Sequence, residues 1–255
     1  MKKHFLIVFI SAILISCSSS DDSTTTTPDD DNGNIPLNTL TLLKIELTNY
    51  INGNATINTL TYSYNSDNKL AQAVSENENG IFTTNYIYSG NDITLLEYSN
   101  GQSRDFIYES GIITSSTHFL SNSTRTYQYE YNSSQQMIKE EEYVGQDLLC
   151  TKSFQYGTND NVIYAELPCN NSNIEYEYDT KKNPNSLLYP ENYLKIFLNG
   201  KNNVNEFTTE YSAGGNTTIF ITTVTLEYNS DNYPTKKMYY NEAGELLNME
   251  EYFYE

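Results

Sequence analysis

From Leu40 onward, apolar and polar positions alternate along most of the chain. Phe220, Val224, Leu226 and Tyr228 share one parity, while Thr223, Thr225 and Glu227 take the other. A period of two marks a strand with one buried and one wetter face. The alternating segments are rich in Tyr, Thr, Ile and Phe, which suit a pleated, half-buried surface. Turn signals separate them: Asn52-Gly53, Asn79-Gly80, Gly90-Asn91, Asn100-Gly101, Ser110-Gly111, Gly145-Gln146, Asn159-Asp160, Asn199-Gly200 and Gly214-Gly215. This punctuation predicts an all-β chain of short antiparallel strands.

A small unit recurs within that pattern. In Tyr228-Asn229-Ser230-Asp231-Asn232 and Tyr240-Asn241-Glu242-Ala243-Gly244 a Tyr ends a strand, Asn opens a turn, and Asn or Gly stands three residues later. An Asn side chain can accept from the backbone two residues on. Asn and Gly are also the residues that most readily take positive φ. The order predicts a type I turn followed by a left-handed residue and a bulge. Tyr64 to Asn68, Tyr131 to Gln135 and Tyr178 to Lys182 are looser copies, the last two without Asn or Gly at the left-handed position.

Aromatic-x-aromatic pairs accompany the unit: Tyr62/Tyr64, Tyr86/Tyr88, Phe106/Tyr108, Tyr129/Tyr131, Phe154/Tyr156, Tyr176/Tyr178 and Tyr252/Tyr254. The second members of the first six lie 20 to 25 residues apart, room for one hairpin per repeat. The expected architecture is an antiparallel meander of roughly fourteen to sixteen strands, barrel-like or strongly curved. Members of a pair share a face and so build a Tyr-rich core, or else an exposed row that stacks on sugars.

The pattern fails between Lys182 and Phe207. Asn183-Pro184 stops a strand, and Leu187 to Phe197 is expected to carry a short helical turn. Two roles fit this insertion: capping the open end of the sheet, or binding a ligand, with Tyr189, Tyr193 and Phe197 as candidate binding residues.

The N-terminus reads as an address. Lys2 and Lys3 precede an apolar run from Phe5 to Ile15, too short to span a bilayer and suited to a secretory leader. Leu14-Ile15-Ser16-Cys17 resembles a bacterial lipobox, which implies cleavage before Cys17 and lipid on its thiol; an ordinary leader containing Cys is the competing reading. Residues 18–36, SSSDDSTTTTPDDDNGNIP, lack apolar side chains before Ile35 and read as a tether. The expected organisation is a leader over 1–16, lipidated Cys17 and tether over 17–36, and a repeat β domain over 37–255. Ser20-Asp21-Asp22 resembles the acidic export signal of Bacteroidota surface lipoproteins. The address is an outer-membrane lipoprotein, at the cell surface or on the periplasmic face.

Charge narrows the partners. With 14 Lys+Arg against 33 Asp+Glu the formal net charge is −19, so nucleic acid is excluded as a partner and anionic lipid as a docking surface. Membrane contact is expected through the lipid anchor alone, with a glycan or an envelope protein as possible partner.

Two cysteines remain, Cys150 and Cys169. A chain folded at Asn159-Asp160 sets them opposite one another, with Phe154 against Ala165 and Tyr156 against Ile163. An oxidising compartment permits a disulfide there, if no bulge shifts the register.

Signals for chemistry are sparse. His118, the only histidine after the leader, stands on a polar segment and reads as a surface histidine, with no second His there for a metal site. No phosphate loop or nucleophile elbow appears, and no cofactor is expected. Glu140-Glu141 and Glu250-Glu251 are adjacent residues on opposite strand faces and read as solvated charge. The expected function is a non-catalytic binding or cell-envelope structural module. The alternative is a polysaccharide-directed hydrolase using paired carboxylates.

Two resemblances add to this reading. Tyr62-x-Tyr64-Asn65-x-x-Asn68-Lys69-Leu70 and Tyr240-Asn241-x-x-Gly244-Glu245-Leu246 resemble the YD (Rhs-type) repeat, with Asn where that repeat prefers Asp and with irregular spacing. Tyr176 to Pro184 and Tyr228 to Lys236 resemble a Bacteroidota lipoprotein domain of unknown function described as porin-like, over about residues 38–255. That resemblance implies shape and supplies no catalytic residues. A spanning pore is not expected, because the strands read as short and Thr/Asn/Glu-rich without an apolar outer band.

Overall fold

The computed structural model describes residues 40–51, 54–197 and 200–255. The leader, Cys17 and the tether lie outside the described residues.

The chain forms sixteen strands in an antiparallel meander. They are β1 (Leu42–Ile51), β2 (Asn54–Tyr64), β3 (Leu70–Asn77), β4 (Gly80–Ser89), β5 (Asp92–Tyr98), β6 (Ser103–Glu109), β7 (Ile112–Phe119) and β8 (Thr124–Tyr131), then β9 (Met137–Val144), β10 (Asp147–Tyr156), β11 (Val162–Leu167), β12 (Ser172–Lys182), β13 (Asn202–Ala213), β14 (Asn216–Tyr228), β15 (Pro234–Asn241) and β16 (Leu246–Tyr254). Each pairs with its sequence neighbours, and β1 pairs with β16, closing a barrel without a free edge. The expected meander is therefore present and fully closed. Strand lengths run from 6 to 13 residues, so several are longer than the sequence suggested.

The copies of the recurring unit at Tyr64, Tyr131 and Tyr228 build one rim, while the copy at Tyr240 turns β15 into β16 at the other. Asn65, Asn132 and Asn229 each accept through Oδ1 from the backbone N–H two residues on, at 2.9–3.0 Å. Asn68, Gln135 and Asn232 take φ of 57°, 58° and 65°, so Gln135 adopts the left-handed position even without the favoured residue type. A bulge falls immediately before the terminal Tyr of β2, β4, β6, β8, β10 and β14. The copy at Tyr178 to Lys182 does not reverse the chain. There β12 runs on to Lys182, and Asp179 turns to Asn203 and Tyr228.

At four of these bulges, and at those beside Tyr178 and Tyr254, the tyrosine hydroxyl reaches across the pairing; Tyr88 makes no hydrogen bond among the described residues and Tyr228 turns to Asp179. Tyr64, Tyr108, Tyr131, Tyr156, Tyr178 and Tyr254 donate to the carbonyls of Leu42, Ile93, Ile113, Met137, Val162 and Pro234 at 2.6–2.9 Å. Each acceptor opens or nearly opens the preceding odd-numbered strand, and its own side chain is among the most deeply buried in the protein. The rings and these apolar residues form the core, in two clusters around the same rim. The aromatic pairs thus pack inward rather than forming an exposed row.

The register of the cysteine hairpin departs from expectation at its turn. Phe154 pairs with Ala165, but a bulge sets Tyr156 opposite Val162, leaving Ile163 43% exposed. The cysteine end keeps its alignment. Cys150 on β10 is bonded to Cys169, which sits in a single 3-10 turn (Pro168–Asn170) beyond β11, with Cα atoms 5.9 Å apart.

Outward positions follow from the same register. Glu46, Glu76, Asp105, Glu130, Lys139, Glu166, Glu175, Glu206, Lys236 and Glu251 face away from the lumen, interspersed with Thr, Ser and Asn. Lys139 bridges Glu130 at 2.5 Å and Glu141 at 3.1 Å on this wall, and Lys236 reaches Glu251 at 3.4 Å.

Two stability tests follow. Tyr131→Phe strips the Ile113 carbonyl of its partner and is expected to cost about 1–2 kcal/mol in denaturant unfolding. Tyr88→Phe removes a buried hydroxyl that has no hydrogen bond among the described residues, and is expected to be neutral or stabilising. Equal losses for both would refute a stabilising role for the tyrosine–carbonyl bonds. Mass measurement after alkylation without reductant is expected to show neither Cys150 nor Cys169 modified.

Candidate functional site

The barrel has two unlike mouths. At the Tyr-lined rim the 19-residue connection 183–201 folds across the opening. Asn183 ends β12 and accepts from the N–H of Asn185 at 3.1 Å, starting a 3-10 turn (Pro184–Leu187). Pro190 leads into a single helical turn, α1 (Glu191–Leu194), continued by a 3-10 turn to Phe197. Leu188 enters the cluster of Leu42, Tyr62 and Leu70, while Tyr193 and Ile196 enter the cluster around Phe106, Met137 and Phe154. Polar ties fasten the edge: Lys195 to Gln135, Lys201 to Asp160 and Lys181 to Asn232, each at 2.8 Å.

The insertion is therefore a cap. Tyr193 is 3% exposed and meets the Phe106 ring edge-on at 5.3 Å. The Tyr189 hydroxyl lies 3.2 Å from that of Tyr86. Tyr193 is packed into the core and Tyr189 is half-buried beside it, and burial raises both hydroxyls well above the usual tyrosine range. Phe197 ends the last 3-10 turn, and its side chain lies outside the described residues. A cleft of about 420 Å³ remains between cap and rim, but its charges are already matched, Lys201 with Asp160 and Lys195 with Glu191.

At the opposite mouth the connections are tight turns, apart from the 3-10 turn holding Cys169. No described element crosses it. The molecule is a cup, with a lumen that grows polar with distance from the cap. On one wall Arg104, His118 and Arg125 pair side by side on β6, β7 and β8. Arg125 bonds Glu142, and Lys152 bonds Glu140 at 2.5 Å. Across the barrel Glu250 accepts from the hydroxyls of Tyr239 and Tyr252. Lys237 beside them stands 5.3 Å over the Tyr252 ring, and burial lowers its pKa.

Arg104 is half-buried among neutral partners. Its Nε and Nη2 donate to Ser116 Oγ at 3.1 and 2.9 Å, and Nη2 also donates to the Tyr129 hydroxyl at 2.8 Å. Tyr127 lies under the guanidinium at 4.5 Å. Burial pushes the Tyr129 hydroxyl up to about 12, against the pull of Arg104. No carboxylate among the described residues pairs with Arg104. Its neighbour His118 has a buried Nε2 without a hydrogen bond. Burial first, then the charges of Arg104 and Arg125, lowers the His118 pKa. His118 is thus a lumen residue, not a surface one. Glu140-Glu141 and Glu250-Glu251 do straddle the wall, but Glu140 and Glu250 face inward. Among the described residues no cluster of His, Cys, Asp and Glu could hold a metal ion.

The sequence matches no family model and no curated protein. Solved structures do share the architecture. The barrel is similar to a porin-like protein from Bacteroides uniformis ATCC 8492, with a TM-score of 0.59, 16% identity, and coverage of 84% of this chain and 98% of that one. A porin-like protein from Bacteroides vulgatus ATCC 8482 gives a TM-score of 0.50 at 13% identity, covering 82% of this chain and 97% of that one. The shared feature is the fold. It agrees with the porin-like resemblance read from Tyr176 to Pro184 and Tyr228 to Lys236.

The lumen placement of His118 can be tested by titration. In the chain from Ser18 onward it is the only histidine, and its NMR midpoint is expected below 6.5. Because the folded pKa is depressed, its contribution to stability is present above pH 6.5 and fades as pH falls toward the folded midpoint. A midpoint at 6.5 would return His118 to the surface.

Proposed function

We propose that the chain is a non-catalytic binding module of the cell envelope: a one-ended cup standing in water and held at the outer membrane by lipid on Cys17. The observation that carries this is the charged outer wall. A lipid-facing barrel needs an apolar band about 25 Å tall between aromatic girdles. Lys or Arg at the bilayer midplane costs about 2–4 kcal/mol, and Asp or Glu somewhat less. Here inward alternation places most tyrosines inside, and Glu, Lys and Thr stand on the outer face from β1 round to β16, breaking up exposed apolar residues such as Ile57, Ile107, Ile163 and Phe253 so that charge recurs on nearly every strand. A wall of that kind gains nothing from lipid, so attachment falls to the N-terminal tether. The lipobox-like Leu14 to Cys17 and the acidic linker supply it.

Binding fits the lumen better than catalysis. A glycosidase needs two carboxyls free to face the scissile bond. Glu140 and Glu142 are each engaged by a cation, and Glu250 is held by two tyrosine hydroxyls. The cap closes one end, so a ligand enters through the other mouth and leaves by the same route. Conduction through the barrel is thereby excluded from the proposal.

The chain from Ser18 onward is expected to be monodisperse without detergent and to form no channels in planar bilayers. The full precursor expressed in a Bacteroidota host is expected to incorporate alkyne-palmitate and sediment with outer membranes, and Cys17→Ser to lose both. A need for detergent, or discrete conductance steps, would overturn the proposal.

A further inference from the structure

The lumen holds a cation without a counter-charge. In a chain of net charge −19, the other lumen cations near the mouth are matched: Arg125 by Glu142 and Lys152 by Glu140. Arg104 has only neutral partners, Ser116 and Tyr129, and these occupy Nε and Nη2. Its Nη1 makes no hydrogen bond among the described residues. A half-buried guanidinium loses water and is costly unless a negative group completes it. The unbonded Nε2 of His118 on the adjacent strand is a second polar group left incomplete at the same place.

A row of aromatic rings runs from there toward the mouth opposite the cap. The Tyr98 ring lies 5.6 Å from His118, and Phe82 stacks on Tyr98 at 5.8 Å and 26°. Register places Phe82 on the lumen face of β4, where it is nevertheless 40% exposed. A large apolar ring showing itself to water inside a polar lumen is a platform for a flat apolar face. Amides stand on the neighbouring strands of the same wall, Asn58 on β2, Asn49 on β1 and Asn248 on β16, and suit hydroxyl groups.

We infer that Arg104 and His118 form an anion subsite in the lumen, and that the ligand is an acidic saccharide whose carboxylate seats on Nη1 of Arg104 while a sugar ring stacks on Phe82 and Tyr98. Arginine presents planar N–H pairs that match a carboxylate, and the aromatic pair supplies the stacking face. The inference rests on the reading of the lumen as an open cup. That reading is tested separately by detergent-free behaviour and the absence of conductance, so the two can fail independently.

The test is calorimetry on the chain from Ser18 onward with tetragalacturonate and tetraglucuronate, each compared with its methyl ester. The acid of at least one pair is expected to bind, and its ester to bind about tenfold or more weakly, the scale of one charge-assisted hydrogen bond. Arg104→Gln is expected to abolish the difference between acid and ester, and Arg104→Lys to restore part of it. Phe82→Ala, at the rim and outside the packed core, is expected to weaken both acid and ester while leaving the melting temperature unchanged. Failure of both acids to bind, or equal binding of acid and ester, would overturn the subsite. An Arg104→Gln variant that still prefers the acid would do the same, and Phe82→Ala keeps the test meaningful if Arg104→Gln fails to fold.

Discussion

The barrel depends on one repeated hydrogen bond, from a strand-terminal tyrosine hydroxyl to the carbonyl that begins the preceding odd-numbered strand. A bulged hairpin leaves a backbone carbonyl out of the ladder where apolar side chains crowd it, and an unpaired buried carbonyl is costly. Tyrosine solves this because its ring fills the volume and its hydroxyl reaches the orphan. Six such bonds stand around one rim. Tyr228 varies the theme by donating to Asp179, at the one place where the hairpin is replaced by the cap. The bulge, the Asn turn and the tyrosine are thus one device. Strand twist accumulates through it hairpin by hairpin until β16 meets β1.

Once the rim is committed to tyrosine, the rest of the molecule is sorted. The inner face near the rim is apolar, and the insertion completes it by burying Leu188, Tyr193 and Ile196. Farther from the cap the core thins, so inward positions on β6 to β10 and on β15 and β16 can carry charge. Ion pairs and tyrosine hydroxyls satisfy most of those charges. Arg104, His118 and Lys237 are among those without a matched carboxylate, and groups of that kind are where ligands are found. The outer face carries Thr, Glu and Lys interspersed with exposed Ile and Phe, and the proposal that it stands in water rests on that recurring charge.

Much of this was legible in the sequence. Period-two alternation and the Tyr-Asn unit specify strands, turns, left-handed positions and bulges, and the aromatic pairs specify the inner face. The register of Phe154 with Ala165 and the Cys150–Cys169 bond also follow from counting. The lumen chemistry was harder to see because each bulge shifts the parity by one. Glu140 lies opposite Tyr129, and Glu142 opposite Tyr127, yet counting back from Met137 without the bulge puts Glu140 outside. The same slip turned Val162 inward and Ile163 outward. His118 looked exposed because its neighbours Thr117 and Phe119 face out. The insertion was recognisable as a break in the repeat, but its role depended on which rim it left from. Strand parity settles that, because the insertion joins an even-numbered strand to an odd-numbered one, as do the bulged hairpins that follow β2, β4, β8, β10 and β14.

The central claim is a lumen closed at one end and open to water at the other. Asn248→Cys places a thiol on the lumen wall, and Ile57→Cys places one on the outer wall, where Ile57 is 59% exposed. In the chain from Ser18 onward, with Cys150 and Cys169 bonded to each other, each introduced thiol is the only one available. Labelling rates with a small methanethiosulfonate and with a bulky globular maleimide conjugate decide the matter. The expected result is that both sites react with the small reagent while only Ile57→Cys reacts readily with the bulky one. A lumen thiol inert to the small reagent, or as open to the bulky conjugate as the outer wall, would contradict the cup.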